Sequence, residues 1–340
     1  MIEEPARTST MIEVLTPIWE RVLQRSPIGA EDNFFDLGGD PAAASRLFAD
    51  LARDTGRELS PLTIYQAPTI ATLAAILEEP ALPRLSTLVE LKAGTGAQPI
   101  FMIPGIGGSV MDFFELVKLI DSGHPIYGMQ SRGMDGLDEP FERIEDLAQY
   151  HVDSIRTQQL RGPYIFIGYS LGGLVALEMA QRLSGIGETV ASLIMVETHV
   201  SRRYVLLGKH VGLAKRRAKR IVRALVRRAG LGSPVGKRGG ESMRDRPEVG
   251  EKFKPIMQHA VDIAFLTWQR YRPRHYKGRI NYVRTMEIDP AYPDDPSAVW
   301  GKLADEFVLQ TVPGNHTNVL ASHSESLAAA LSGYLNEVPR

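Results

Sequence analysis

The sequence contains no cysteine. That excludes a disulfide framework, a thiolate nucleophile and any cysteine-ligated metal site. It also lacks a long apolar run. No stretch approaches the roughly 20 residues that a membrane-spanning helix needs. The polar, acidic opening "MIEEPARTST" does not read as a signal peptide. A cytoplasmic protein is the simplest expectation. Charge of one sign is missing from one region, since no Asp or Glu lies between Arg202 and Arg238. The first eighty residues are the opposite, with Glu3, Glu4, Glu13, Asp32, Asp36 and Asp50 among many acids. A formal net charge of −1 over 340 residues hides this acidic head and basic middle. The apolar share, 44%, is enough to bury a core in one large domain or two smaller ones.

The head, 1–80, reads as helices. Ile12, Leu15, Ile18, Trp19 and Leu23 recur at helical spacing over 10–24. Pro17 lies inside that run and is expected to kink or split it. A second helix over 42–55 carries Leu47, Phe48 and Leu51 on one face. Asp40 suits its N-cap, and Pro41 suits its first turn, where the missing N–H costs nothing. "LSPLTIYQAPTIATLAAILEE" adds a short element and a last helix. The sum is a small four-helix bundle. "IWERVL", "DNFFDLGGD" and "TIYQAPTIATLAAIL" together resemble the acyl or peptidyl carrier domains of nonribosomal peptide and polyketide synthases. The resemblance implies a serine after Gly-Gly-Asp whose hydroxyl takes a phosphopantetheine arm. Here that residue is Pro41, which has no hydroxyl. Ser45, one turn on, reads as a helix-surface serine. The head is therefore expected to be a pseudo-carrier. It is either a relic that helps the chain fold or a docking module that meets another synthase component. Priming at some other residue is the third reading.

After a linker, 81–95, a different organisation begins. "PIFMI", "HPIYGMQ", "YIFI", "VASLIMVETH", "GRINYVRT" and "FVLQTVPGNH" alternate with helical stretches. Such alternation implies a parallel sheet covered on both faces. Gly168-Tyr169-Ser170-Leu171-Gly172 fits G-x-S-x-G between an apolar strand and an apolar helix. In that context the serine is lifted on a strained turn, and the Leu171 N–H points toward a developing oxyanion. A serine nucleophile needs a base, and the base needs an acid to orient it. Of eight histidines, His124, His151, His199, His210, His259 and His275 precede the last strand or lie in the wrong region. His323 is expected on the surface of the final helix. His316, in "VPGNHTNVL" just after the last strand, is the candidate base. Glu197, ending "SLIMVE", and Asp289, in "RTMEIDP", are both candidate acids. The glycine-rich loop "PGIGGS" supplies a second oxyanion donor, assigned to the Ile106 N–H.

"IFMIPGIGGSVMDFFELV", "PIYGMQSRGMDG", "GPYIFIGYSLGGLVALEMAQRL" and "TVPGNHTNVL" resemble the thioesterase domains that release products from the same synthases. The resemblance implies an α/β-hydrolase fold over 96–340 with a helical lid at about 199–265. It aligns the nucleophile with Ser170, the base with His316 and the oxyanion donor with Ile106. The acid aligns with Glu197, where the family usually has Asp. The basic stretch, with Lys215, Arg216, Arg217, Lys219 and Arg220, falls in the lid. It reads as a solvated helix, a docking face for an acidic carrier, a grip on a phosphopantetheine phosphate, or a contact with an anionic membrane, which is not favoured. Nucleic acid is not expected. No metal or cofactor of its own is expected; phosphopantetheine belongs on a partner carrier. The expected activity is release of an acyl or peptidyl chain from a carrier thioester, in trans, by hydrolysis or cyclisation. An acyltransferase, a plain esterase or lipase, and a non-catalytic docking protein are the alternatives.

Overall fold

The computed structural model describes residues 4–338 except 82, 97, 202–252 and 289–294. The basic stretch, most of the expected lid, His210 and Asp289 therefore lie outside the described residues.

The head holds three α-helices, α1 (Glu4–Leu23), α2 (Pro41–Thr55) and α3 (Ile70–Glu78), with a single 3-10 turn at Pro61–Tyr65. Pro17 does not split α1. The Thr16 hydroxyl bonds the Ile12 carbonyl at 2.8 Å, while the carbonyl that Pro17 leaves without its usual donor is that of Glu13. The Asp40 carboxylate caps α2 through the Ala43 N–H at 2.6 Å, with Pro41 in the first turn. Thr69 and Thr72 cap α3 reciprocally. Leu15, Trp19, Phe34, Leu47, Leu51 and Leu73 form a dry core, with Trp19 and Phe34 edge to face at 5.3 Å.

The body is built on a sheet of seven strands in the order β1-β3-β2-β4-β5-β6-β7. They are β1 (Leu88–Lys92), β2 (Ile100–Ile103), β3 (Ile126–Met129), β4 (Tyr164–Tyr169), β5 (Val190–Val196), β6 (Tyr276–Thr285) and β7 (Ala304–Val312). All neighbours are parallel except β1, which pairs antiparallel with β3. The expected linker 81–95 thus contains an edge strand. Its five residues are too short, and too mixed in polarity, to announce themselves.

Successive side chains of a strand face opposite sides. Phe101, Ile103, Tyr164 and Phe166 enter one core, under α5 (Ile144–Gln158) and α6 (Leu171–Gly185). Ile100, Met102, Ile165 and Ile167 enter the other, under α4 (Phe114–Leu119) and, at the end of the chain, α9 (Ser324–Asn336). A helix α7 (Phe253–Arg270) and a short α8 (Ser297–Trp300) complete the described elements. The described part of the expected lid is α7, which runs past 265 to Arg270. This is an α/β-hydrolase sheet with a small helical bundle ahead of it.

The bundle packs on the body. Leu62 of the head is buried against Met134 and Ala260, with Tyr65, Met111 and Met257 beside them. Phe35 of the head meets Phe114 of the body with ring centroids 5.6 Å apart.

Candidate active site

The site forms where β4 turns into α6. Ser170 has φ 54 and ψ −119, a backbone state costing a residue with a side chain about 1–3 kcal/mol. Two contacts hold it there. The Ser170 N–H bonds the Val196 carbonyl of β5 at 2.8 Å, and the Gly173 N–H bonds the Ser170 carbonyl at 3.2 Å. Glycine is required on either side by close approach. A Cβ on Gly168 would sit 2.4 Å from the Gly172 carbonyl oxygen, and one on Gly172 would sit 2.1 Å from that of Ile103. Leu171 is the first residue of α6, where backbone N–H groups are free to face a negative charge.

His316 lies in the loop after β7. Its Nε2 is 3.1 Å from Ser170 Oγ. The loop is held by Tyr169, the residue before the serine. Its ring stacks on the His316 ring at 5.4 Å, and its hydroxyl bonds the His316 carbonyl. On the far side of the ring, His316 Nδ1 is 3.4 Å from Glu197 Oε2.

Glu197 follows β5 and also has a positive φ, 48. Its N–H bonds the Val283 carbonyl at 2.9 Å, and its Oε1 accepts the Thr285 N–H at 2.7 Å, so β6 fixes both ends. The carboxylate is buried. Burial by itself pushes its pKa up. Hydrogen bonding to His199 and then His316, the charge of His199 and the Thr285 N–H more than reverse this, holding it well below the usual carboxylate range. An ionised acid therefore stands behind His316.

His199 is a site residue that the sequence reading passed over. Its Nε2 approaches the same Glu197 oxygen at 3.5 Å, and its ring lies 5.6 Å from that of His316. The segment carrying it is tied down from three sides. The Trp268 indole bonds the His199 carbonyl at 2.7 Å, and Tyr282 and Trp300 bond the Thr198 carbonyl at 2.7 and 3.2 Å. The available signal was the pair Glu197 and His199, two residues apart just after the apolar strand β5. One ligand atom from each of Glu197, His199 and His316 falls within 4.8 Å of the others, a spacing that a metal ion could bridge.

The loop after β2 closes the site from above. A Cβ on Gly105 would lie 3.3 Å from Ser170 Cβ, so this loop runs directly against the serine. Ile106, half-buried, follows it. His323 caps α9 and is half-buried rather than fully exposed.

Beside the serine, a cleft of about 380 Å3 runs between head and body. Tyr169 and Thr317, neighbours of the catalytic pair, line one wall. Asp40, Pro41 and Ser45 line the other. Pro41 thus lines the same cleft as the chain neighbours of Ser170 and His316. It has no hydroxyl to esterify. Ser45 is buried, not on the surface as expected, and its hydroxyl bonds the Pro41 carbonyl at 3.0 Å. These residues do not fit the attachment of a phosphopantetheine arm.

The thioesterase domain family matches residues 98–334. The chain belongs to the thioesterase family. The phosphopantetheine attachment site family matches residues 13–77, so a carrier-type head precedes the thioesterase. A dimodular nonribosomal peptide synthase of Bacillus subtilis (strain 168) is 35% identical over 188 residues, 55% of this chain and 8% of that protein. The chain therefore spans a small part of this curated relative. A four-domain nonribosomal peptide synthetase bound to AMP and glycine superposes with a TM-score of 0.59 at 22% identity, over 97% of this chain and 26% of that one. A type II thioesterase from the borrelidin biosynthetic cluster superposes with a TM-score of 0.54 at 18% identity, over 75% of this thioesterase chain and 100% of that one. Both share the fold. Among the described residues, no helix is long and apolar enough to cross a membrane.

Proposed function

We propose that the chain is a serine thioesterase that releases an acyl or peptidyl chain from the phosphopantetheine thioester of a carrier domain other than its own head. The observation that carries this reading is Ser170 Oγ, raised on a strained turn, 3.1 Å from His316 Nε2, with the buried carboxylate of Glu197 behind that ring. We divide the chain into a pseudo-carrier (1–80), a linker (81–95) and a catalytic domain (96–340).

Ser170 Oγ attacks the thioester carbonyl, and its proton passes to His316 Nε2. The N–H groups of Leu171 and Ile106 hold the oxyanion. The C–S bond breaks, and the departing sulfur takes the proton from His316. Water, or an amine or hydroxyl of the bound chain, then gives its proton to His316 and attacks the acyl-enzyme. The acid or cyclic product leaves and Ser170 is restored. Glu197 keeps His316 in the working tautomer and balances its charge. Metal and redox groups have no step in this sequence.

The acyl group is delivered on a partner carrier, because position 41 offers no side-chain hydroxyl and the Ser45 hydroxyl is buried and engaged with the Pro41 carbonyl. The test is thiol release from a panel of acyl-pantetheine thioesters and acyl-loaded carrier proteins, with product analysis. Native protein should release thiol, and Ser170→Ala should fall by at least 10³-fold, as loss of a triad member does. Turnover by Ser170→Ala at the native rate refutes the assignment.

A further inference from the structure

The surface on which the head rests does more than join two modules. The head presents Phe35, Leu62 and Tyr65, with Pro41 at the edge of the cleft. The body meets it with Met111, Phe114, Met134, Met257 and Ala260. Three of these five are methionines. Methionine is unbranched and adaptable, and it is over-used on surfaces that accept more than one partner. The same surface leads, through the cleft, to Tyr169 and Thr317 beside the nucleophile. In the seated pose the attachment position of a carrier-type module already lines that cleft, with no hydroxyl there to hold cargo.

We propose that the head occupies, in cis, the docking surface that a loaded carrier domain must use, so that the two compete for it. The proposal rests on the function argued above and names the surface through which it is exercised. The occupant that displaces the head is another helical carrier module carrying an acyl-phosphopantetheine arm. Its fit is argued from the head itself, a module of the same family already seated there. The tether is short, so the head acts at an effective concentration of about millimolar, which a free carrier must overcome. Regulation follows without further parts. The docking surface stays covered until a carrier with sufficient affinity arrives, whereas a small thioester needs no docking.

The experiment uses the full chain and two independent variants on the head side, Phe35→Asp and Tyr65→Ser. Neither residue lines the cleft. Each variant is assayed on an acyl-loaded carrier protein and on the matching acyl-pantetheine thioester. The expected result is a fall of about tenfold in KM for the loaded carrier with kcat unchanged, while kcat/KM for the small thioester stays within about twofold. An unchanged or raised KM for the carrier in a variant that keeps its native activity on the small thioester overturns the proposal; a raised value would make the head a guide. If one variant fails to fold, the small-thioester rate reveals it and the other decides. If neither substrate is turned over by any form, the thioesterase reading itself falls, and the two failures are thereby distinguished.

Discussion

Ser170 and Glu197 directly follow neighbouring strands, and both sit at positive φ. Each is clamped by a backbone hydrogen bond to the next strand, Ser170 to Val196 and Glu197 to Val283. The strain is therefore carried by the sheet. Glu197→Gln keeps the shape of the side chain but cannot balance a charged imidazole. Its kcat should fall by about 10³–10⁴, read on a small thioester with KM little changed. The same substitution has a pH signature. A carboxyl held below its unfolded value contributes stability that is present above that value, about 4.3, and is lost as pH falls through the folded value. Denaturation should thus show the widest gap between native protein and Glu197→Gln at neutral pH and a narrowing gap only in strong acid. His199→Ala removes one anchor of the carboxylate but not its charge. It should cost about tenfold or less in kcat, well short of the loss at Glu197.

At the scale of elements, α5 carries a different feature. His151 is fully buried, both ring nitrogens lack a partner, and burial pushes its pKa down to about 3. Below pH about 6.5 the unfolded chain takes a proton there that the folded chain refuses, so stability falls as pH drops from 6.5 toward 3. His151→Leu should therefore gain on the native protein in acid, by about 2 kcal/mol at pH 5 relative to pH 7, read by urea denaturation at both values. A gap that does not change with pH would contradict this account. Strands β2, β3 and β4 were legible because they are short runs buried at every position, whereas β6 and β7 carry charged residues and were legible only through their apolar stretches. The strand–turn–helix around Ser170 was legible too, and so was the cap Asp40-Pro41. The edge strand Leu88–Lys92 was not, because only one of its five residues is fully buried. Continuity of α1 through Pro17 was missed because a proline signals a break, while the burial of Leu15, Ile18 and Trp19 on both sides of it in the bundle core is visible only in the fold. His199 was passed over because chain order for a triad leaves no place for a second histidine. Only the folded end of β5 shows that one carboxylate faces two rings.

Across the whole molecule, the head and the catalytic body tell one story through position 41. A carrier-type module is kept, folded and seated on the body, without the hydroxyl that would load it. Incubation of the native chain with a phosphopantetheinyl transferase and coenzyme A should therefore add no mass, whereas Pro41→Ser restores a hydroxyl at the cleft. An arm on the native chain would falsify the pseudo-carrier. The central claim is that Ser170 takes its acyl group from a carrier outside the head. Intact-protein mass spectrometry of the native chain, mixed with an acyl-loaded carrier protein and quenched early, tests it most directly. The account predicts one acyl adduct on the peptide bearing Ser170, absent from Ser170→Ala, with no phosphopantetheine mass anywhere on the chain. An adduct that persists in Ser170→Ala, or an acyl group found on the head, would contradict it.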